Sequence, residues 1–231
     1  SSLNDLDCTE NDINSVKDFN IAYSINERTR AFVKIQDGCD YVCSYCTIPR
    51  ARGKSRSGTI NNIVSSIKDI VSSEINEIIL SGINVGDFGK NNNESLLGLL
   101  EEVEKIKNLK RYRISSIEPN LLNDSIIKLI SKSSKAVPHL HIPLQSGNNN
   151  ILKCMKRRYS VGDYYKLIEK LNKYIPNICI GVDVIVGYPG EDDEGFIKTY
   201  NFLNNINISY LHVFSYSDRK DTDSYKLKPK V

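Results

Sequence analysis

The chain has 231 residues, 40% of them hydrophobic and 26% charged, with a formal net charge of +3. That is ordinary composition for a globular chain with one sizeable core or two small ones, and +3 is too small to establish a nucleic-acid partner. No run of about eighteen apolar residues exists, so no membrane span is expected, and no charged-then-apolar signal peptide opens the chain; the only Met is Met155, which reads as a fragment or a processed chain.

Residues 1–28 are polar and rich in Asn and Asp, and are expected to form a linker or the truncated edge of an N-terminal domain. Residues 29–217 carry a regular alternation expected to form the core domain. Phe32-Val33-Lys34-Ile35 reads as a strand, followed by a cysteine-rich loop. Ile60, Ile63, Val64, Ile67, Ile70 and Val71 fall at helical spacing, and Glu77-Ile78-Ile79-Leu80 reads as a second strand ending in Ser81-Gly82. Leu96, Leu97, Leu100, Val103 and Ile106 predict the next helix, and Tyr112-Arg113-Ile114-Ser115 the third strand. Leu122, Ile126, Ile127 and Ile130 predict a helix with Asn120 or Asn123 as its N-cap.

The fourth strand is His139-Leu140-His141-Ile142, with a turn at Ser146-Gly147 and helical stretches over 151–156 and 164–174. Ile178–Val186 is an almost unbroken apolar strand, as expected where both faces are covered. A helix near 196–203 and a sixth strand over 208–214 follow, and the charged residues 218–231 are expected to form an exit linker. Repeated strand–helix units imply a parallel sheet with right-handed crossovers, either an open doubly wound sheet or a barrel. Six units are two short of a closed eightfold barrel, so the expected fold is α/β, a partial, open TIM-like (β/α)6 barrel, with ligands at the C-terminal ends of the strands.

The chain has six cysteines, of which Cys39, Cys43 and Cys46 share one loop after the first strand in a C-x3-C-x2-C spacing. Three thiols that close predict a metal site in a reducing compartment rather than disulfides. A closed structural zinc site needs four protein ligands, whereas a cubane iron–sulfur cluster on three thiolates leaves one iron open. The competing reading is a zinc module whose fourth ligand is His139 or His141, which makes the chain a non-catalytic, metal-stapled interaction module. Cys8, Cys154 and Cys179 are scattered and are expected to be ordinary small apolar residues.

At later strand ends Gly82 permits close backbone approach, and Gln145 offers an amide suited to a ribose or a carboxylate. Asp183 lies in so apolar a strand that it needs a partner. Arg50, Arg52, Lys54 and Arg56 form one basic cluster and Lys153, Lys156, Arg157 and Arg158 another, which suit phosphate contacts or a solvated face.

The cysteine triplet, with Tyr45 just before its last member, resembles the signature of the radical S-adenosylmethionine (SAM) superfamily. The resemblance implies a 4Fe–4S cluster on Cys39, Cys43 and Cys46 whose open iron chelates S-adenosylmethionine, and reductive cleavage to a 5′-deoxyadenosyl radical. It also implies cofactor contacts. Ser81-Gly82-Ile83-Asn84 resembles the segment that binds the methionyl amino group. Met155-Lys156-Arg157-Arg158-Tyr159 resembles an M-x-R-x-Y pattern whose Arg157 forks onto the carboxylate. Val182–Gly187 resembles the strand whose backbone contacts adenine.

A closer likeness is carried by Lys34–Cys39, Thr47–Gly53, His141–Gly147 and Gly187–Glu191, which together resemble the methylthiotransferases over about residues 24–226. Ser115–Pro119 and Gly82–Gly86 resemble the branch that acts at C2 of N6-threonylcarbamoyladenosine in tRNA; the sister branch modifies an aspartate of a ribosomal protein. The resemblance implies a cytoplasmic enzyme with a tRNA anticodon stem-loop as partner and a flavodoxin-type electron donor. Full members carry an N-terminal domain with three further cysteines for a second 4Fe–4S cluster that handles sulfur, and a C-terminal β-barrel that grips RNA, which this chain is expected to lack.

Overall fold

Apolar residues alternate along the strands because one sheet face is covered by helices while the other lines a lumen. The structure is a computed structural model that describes residues 13–16, 18–24, 29–73 and 75–231. Cys8 and most of the expected leading segment lie outside the described residues. Parallel pairing joins β2 (Arg30–Lys34), β5 (Glu77–Ser81) and β6 (Arg111–Ile114). It also joins β7 (His139–His141), β8 (Cys179–Val186) and β9 (Tyr210–Ser215). Two isolated parallel bridges, Tyr112↔Ala136 and Ser116↔His141, connect the halves, so six parallel strands follow one another in chain order. This is the partial open barrel expected from the repeat count. A short strand β1 (Ala22–Ser24) adds antiparallel to the edge of β2, which strand–helix counting did not anticipate.

The helices that return the chain are α2 (Ile60–Ser72), α3 (Leu96–Glu104), α4 (Asp124–Lys132), α5 (Asn149–Cys154), α6 (Val161–Tyr174) and α7 (Asp193–Asn204). Each begins at a side-chain N-cap: Thr59, Ser95, Asn123, Asn148, Ser160 and Asp192 accept from the first-turn backbone. A cap contributes about 1 kcal/mol and fixes where each helix leaves the strand end before it. Of the two expected caps for α4, Asn123 is the one used.

The hydrophobic core lies between the helices and the outer sheet face. Ala31, Val33, Ile78, Leu80, Tyr112, Ile114, Leu140, Ile180, Val182 and Val184 point there and are buried with Ile63, Ile67, Leu99, Leu100, Ile126 and Ile168. The inner face is different. Its residues, in register, include Glu77, Arg111, Arg113, His139, His141, Asp183, Tyr210 and His212. Gly181 makes the crowding possible, since an added Cβ would sit 2.1 Å from the Tyr210 ring that lies across it. At the N-terminal end of the lumen, Arg111 Nε and Arg113 Nε donate to the two Glu77 oxygens at 2.5 and 2.6 Å.

The end of the chain folds back on the strand ends. Ser224 N donates to Ser44 O at 2.9 Å, Gly190 N to Pro229 O at 3.1 Å, and Lys156 pairs with Asp223 at 2.5 Å. No helix among the described residues is long and apolar enough to cross a membrane.

Burial alone would raise the Glu77 carboxyl, but the bonds from Arg113 and Arg111 outweigh it and hold it below its ordinary value. A depressed carboxylate stabilises the fold above its unfolded value of about 4.3 and loses that contribution as pH falls through the folded value. Glu77→Gln is therefore expected to cost about 1–3 kcal/mol at neutral pH, with a gap from wild type that narrows below about pH 4, read from urea midpoints across pH.

Candidate functional site

The three cysteines sit in the loop that leaves β2, at the C-terminal mouth of the barrel. The base of this loop is closed by a two-residue ladder between β3 (Gln36–Asp37) and β4 (Arg56–Ser57). Gly38 has φ +69°, and a Cβ there would lie 2.1 Å from Lys54 O, so only glycine lets the two sides of the loop meet. Cys39 N then donates to Gly53 O at 3.1 Å, where the short helix α1 (Ile48–Arg52) ends. The fully buried Gln36 amide ties the turn together. Its Nε2 donates to Asp37 O, Gly38 O and Ser55 Oγ at 3.0, 2.7 and 3.0 Å, and its Oε1 accepts from Asn84 N at 2.8 Å.

Each thiol is already oriented. Tyr41 N donates to Cys39 Sγ and Ile48 N to Cys46 Sγ, both at 3.4 Å, and Arg157 Nη1 donates to Cys43 Sγ at 3.3 Å. Burial pushes the Cys39 thiol up to about 11, and the neighbouring Cys43 and Cys46 add to the shift. Burial also raises Cys43, against the pull of Arg157. Three crowded thiols, of which burial keeps Cys39 and Cys43 from ionising readily on their own, are the donor set a cationic cluster satisfies, because the metal replaces the protons. The thiols therefore fit an iron–sulfur cluster.

The Arg157 side chain is buried, 3% exposed. It pairs with Glu118, donates from Nε to Tyr159 OH at 3.0 Å, and reaches Tyr45 OH at 3.4 Å. Cys43, Tyr45 and Arg157 are thus in direct contact. Gln145 has φ +72° and, with Tyr45, Cys46, Ile48, Asp183 and Ile185, lines a cleft of about 530 Å³ at the strand ends. Gly82 and Asn84 stand on the other flank, against Gln36. A Cβ on Gly82 would meet Gln36 O and Oε1 at 2.9 Å. Asn84 donates from Nδ2 to Asp87 at 2.9 Å, while its buried Oδ1 has no partner among the described residues. Such an acceptor fits a ligand ammonium. Gly187, with φ +75°, stands at the end of β8 and donates to Glu191 Oε2 at 2.7 Å.

Several residues that shape the site were not singled out from the sequence. Glu118 neutralises Arg157, and Gln36 braces the loop. The Tyr188 hydroxyl lies 2.7 Å from Ser44 Oγ, and Ser44 Oγ donates to Cys154 O at 2.8 Å, fastening the cysteine loop to α5. Asp183 finds its partners in His141 at 2.9 Å and His212 at 3.2 Å. Those bonds keep its carboxyl below the ordinary value although burial opposes them. The first basic cluster is partly neutralised: Arg52 and Arg56 face Asp37 at 3.8 and 3.3 Å, and Arg50 faces Asp221 at 3.5 Å. Cys154 is exposed, and Cys179 opens β8.

The family model described as the Radical SAM superfamily matches residues 33–203. The chain is 40% identical over 210 residues to the threonylcarbamoyladenosine tRNA methylthiotransferase MtaB of Bacillus subtilis, covering 90% of this chain and 47% of that protein. It is 38% identical to a tRNA-2-methylthio-N(6)-dimethylallyladenosine synthase of Clostridium tetani, covering 88% and 45%. The chain spans about half the length of these curated relatives. In fold it is similar to the radical SAM methyltransferase TsrM of Kitasatospora setae, solved with cobalamin and a [4Fe-4S] cluster bound, at a TM-score of 0.68 with 15% identity, over 80% of this chain and 36% of that one.

Gly38→Ala is expected to open the cysteine loop, cost more than the roughly 1–2 kcal/mol of a left-handed alanine, and lower iron uptake on reconstitution. Gly190→Ala, with φ +87° but nothing within 4 Å of the added Cβ, is expected to carry only the backbone cost. Thermal midpoints and iron content of the two variants check this.

Proposed function

The chain belongs to the radical SAM superfamily, and we propose that within it this chain is the catalytic core of a tRNA methylthiotransferase. The observation that carries the reading is the closed loop presenting Cys39, Cys43 and Cys46 at the barrel mouth, with Arg157 against Cys43 and the cleft beside Cys46. Cys39, Cys43 and Cys46 would hold a 4Fe–4S cluster. Gly82, Asn84, Gln145, Arg157 and Gly187 would hold S-adenosylmethionine, with Tyr45 packed beneath. When bound, cluster and cofactor supply reductive cleavage of the sulfonium and so a 5′-deoxyadenosyl radical. The protein's part is to orient and to exclude water. Asn84 Oδ1 offers an acceptor to the methionyl ammonium, and Arg157, held in place by Glu118, would offer guanidinium N–H donors to its carboxylate. Gly187 leaves its strand end open to a flat ring, with nothing but Val231 Cβ, at 4.0 Å, near an added Cβ.

The proposed reaction is methylthiolation of C2 of N6-threonylcarbamoyladenosine beside the anticodon. The likeness to enzymes named for that nucleoside supports the choice of branch. In the whole protein a second cluster would handle the sulfur, and a flavodoxin-type protein would supply electrons in the cytoplasm. The adenosine would be splayed from the anticodon loop into the cleft, as single-stranded bases are. Arg50–Arg56 border the cluster loop and would face the stem.

Anaerobic reconstitution is expected to load about four irons per chain with charge-transfer colour. Cys43→Ala is expected to abolish both, while Cys154→Ala and Cys179→Ala keep the iron. One colourless zinc per chain would instead support the metal-stapled module. For the substrate, nucleoside mass spectrometry of tRNA from cells lacking the full-length protein is expected to show loss of the 2-methylthio form of N6-threonylcarbamoyladenosine. An unchanged level, with a ribosomal-protein aspartate left unmodified, would assign the sister branch.

A further inference from the structure

All three histidines of the chain, His139, His141 and His212, project from the inner sheet face into the barrel lumen. Two of them converge with Asp183 from three adjacent strands. His141 Nε2 lies 2.9 Å and His212 Nδ1 3.2 Å from the same oxygen, Asp183 Oδ1. One potential ligand atom from each of the three residues lies within 4.8 Å of the others. The ladder fixes the arrangement: Asp183 is directly opposite His212, and His141 is opposite Gly181, two residues earlier on the face that Asp183 shares.

The charges around this trio are incomplete. Among the described residues no Lys or Arg pairs with Asp183. The lumen arginines, Arg111 and Arg113, are engaged by Glu77 at the far end. A carboxylate in a half-enclosed lumen, flanked only by imidazoles that carry no obligatory charge, lacks a fixed counter-ion. Two imidazoles and one carboxylate form the donor set that takes a first-row divalent ion with further positions open. Asp183 also lines the cleft that holds Cys46 and Gln145, so open positions would face the space where a substrate sits.

We propose that His141, Asp183 and His212 form a second metal site, separate from the cysteine loop, which binds a divalent ion such as zinc in the lumen with open coordination toward the cleft. A small rotation of each side chain replaces the shared hydrogen bonds by bonds of about 2.0–2.2 Å. Behind the site, Tyr210 OH lies 2.9 Å from His139 Nε2, and its ring packs beside both His141 and His212, which limits their rotation. An oxygen or nitrogen of the substrate, or water, would complete the coordination. The site stands on this chain's own residues and does not depend on the proposed tRNA reaction.

The test uses protein reconstituted with its iron–sulfur cluster, so that the thiols are occupied, then freed of loose metal with a chelating resin and titrated with zinc alone. Expected are one zinc per chain by elemental analysis and a zinc absorption edge with only nitrogen and oxygen neighbours at about 2.0–2.2 Å, without sulfur at about 2.3 Å. His212→Ala and Asp183→Asn are each expected to weaken zinc at least about tenfold while iron content stays at wild type and each variant still unfolds in one cooperative transition. Should His212→Ala fail to fold, Asp183→Asn, which keeps shape and a hydrogen-bond acceptor, carries the test. No zinc at micromolar concentrations, zinc held through sulfur, or zinc unaffected by both substitutions would each overturn the proposal.

Discussion

One buried amide holds the working end of the barrel together. Gln36 leaves the first parallel strand just before the cysteine loop. It donates to both carbonyls that begin the loop and to Ser55 on the returning side, and it accepts from Asn84 at the end of the next strand. A fully buried amide is costly unless its hydrogen bonds are satisfied. Here four bonds meet that demand, and together they fix three segments. The turn into the cysteines, the hairpin that closes their loop and the flank carrying Gly82 and Asn84 all take their positions from this side chain. Gly38 and Gly82 are glycines for the same reason, since a Cβ at either would collide with the closure that Gln36 maintains.

The division of the sheet into two unlike faces follows from how the fold is stabilised. From β2 to β8 the outer face is apolar and covered by helices, where most of the favourable burial resides, while Leu211 and Val213 on β9 stay exposed. This leaves the inner face free of any requirement to be greasy. It can carry a Glu77–arginine clamp at one end, a histidine–aspartate group higher up and a cleft at the rim. The open side of the barrel admits ligands to that polar interior without unfolding any part of the core.

Much was legible in the chain itself. The spacing of Ile63, Ile67 and Ile70, or of Leu96, Leu100 and Val103, identifies helices because one stripe must be buried. The unbroken run of β8 marks a central parallel strand for a related reason. The cap of the fourth helix was also readable, as one of two short polar residues, Asn120 and Asn123, before an apolar stripe. Strand β1 and the ladder between β3 and β4 were not legible. Each has only two or three residues, too few for any periodicity to register. The contacts of residues 218–231 escaped notice because a charged segment is held by particular partners, such as Lys156 for Asp223, rather than by an apolar pattern.

The sequence by itself determined the order of the strands and helices, the number of repeats, and the grouping of Cys39, Cys43 and Cys46. All of these depend on neighbours within a few residues. Only the tertiary structure decided that Arg157, a candidate surface residue, is buried between Glu118 and Cys43. The same is true of Asp183, whose histidine partners come one from each adjoining strand, 42 residues before it and 29 residues after it. The physical reason is one of range. Hydrophobic periodicity is local and repeats, so it can be read along the chain, whereas a buried charge is satisfied by whichever group the folded sheet sets opposite it.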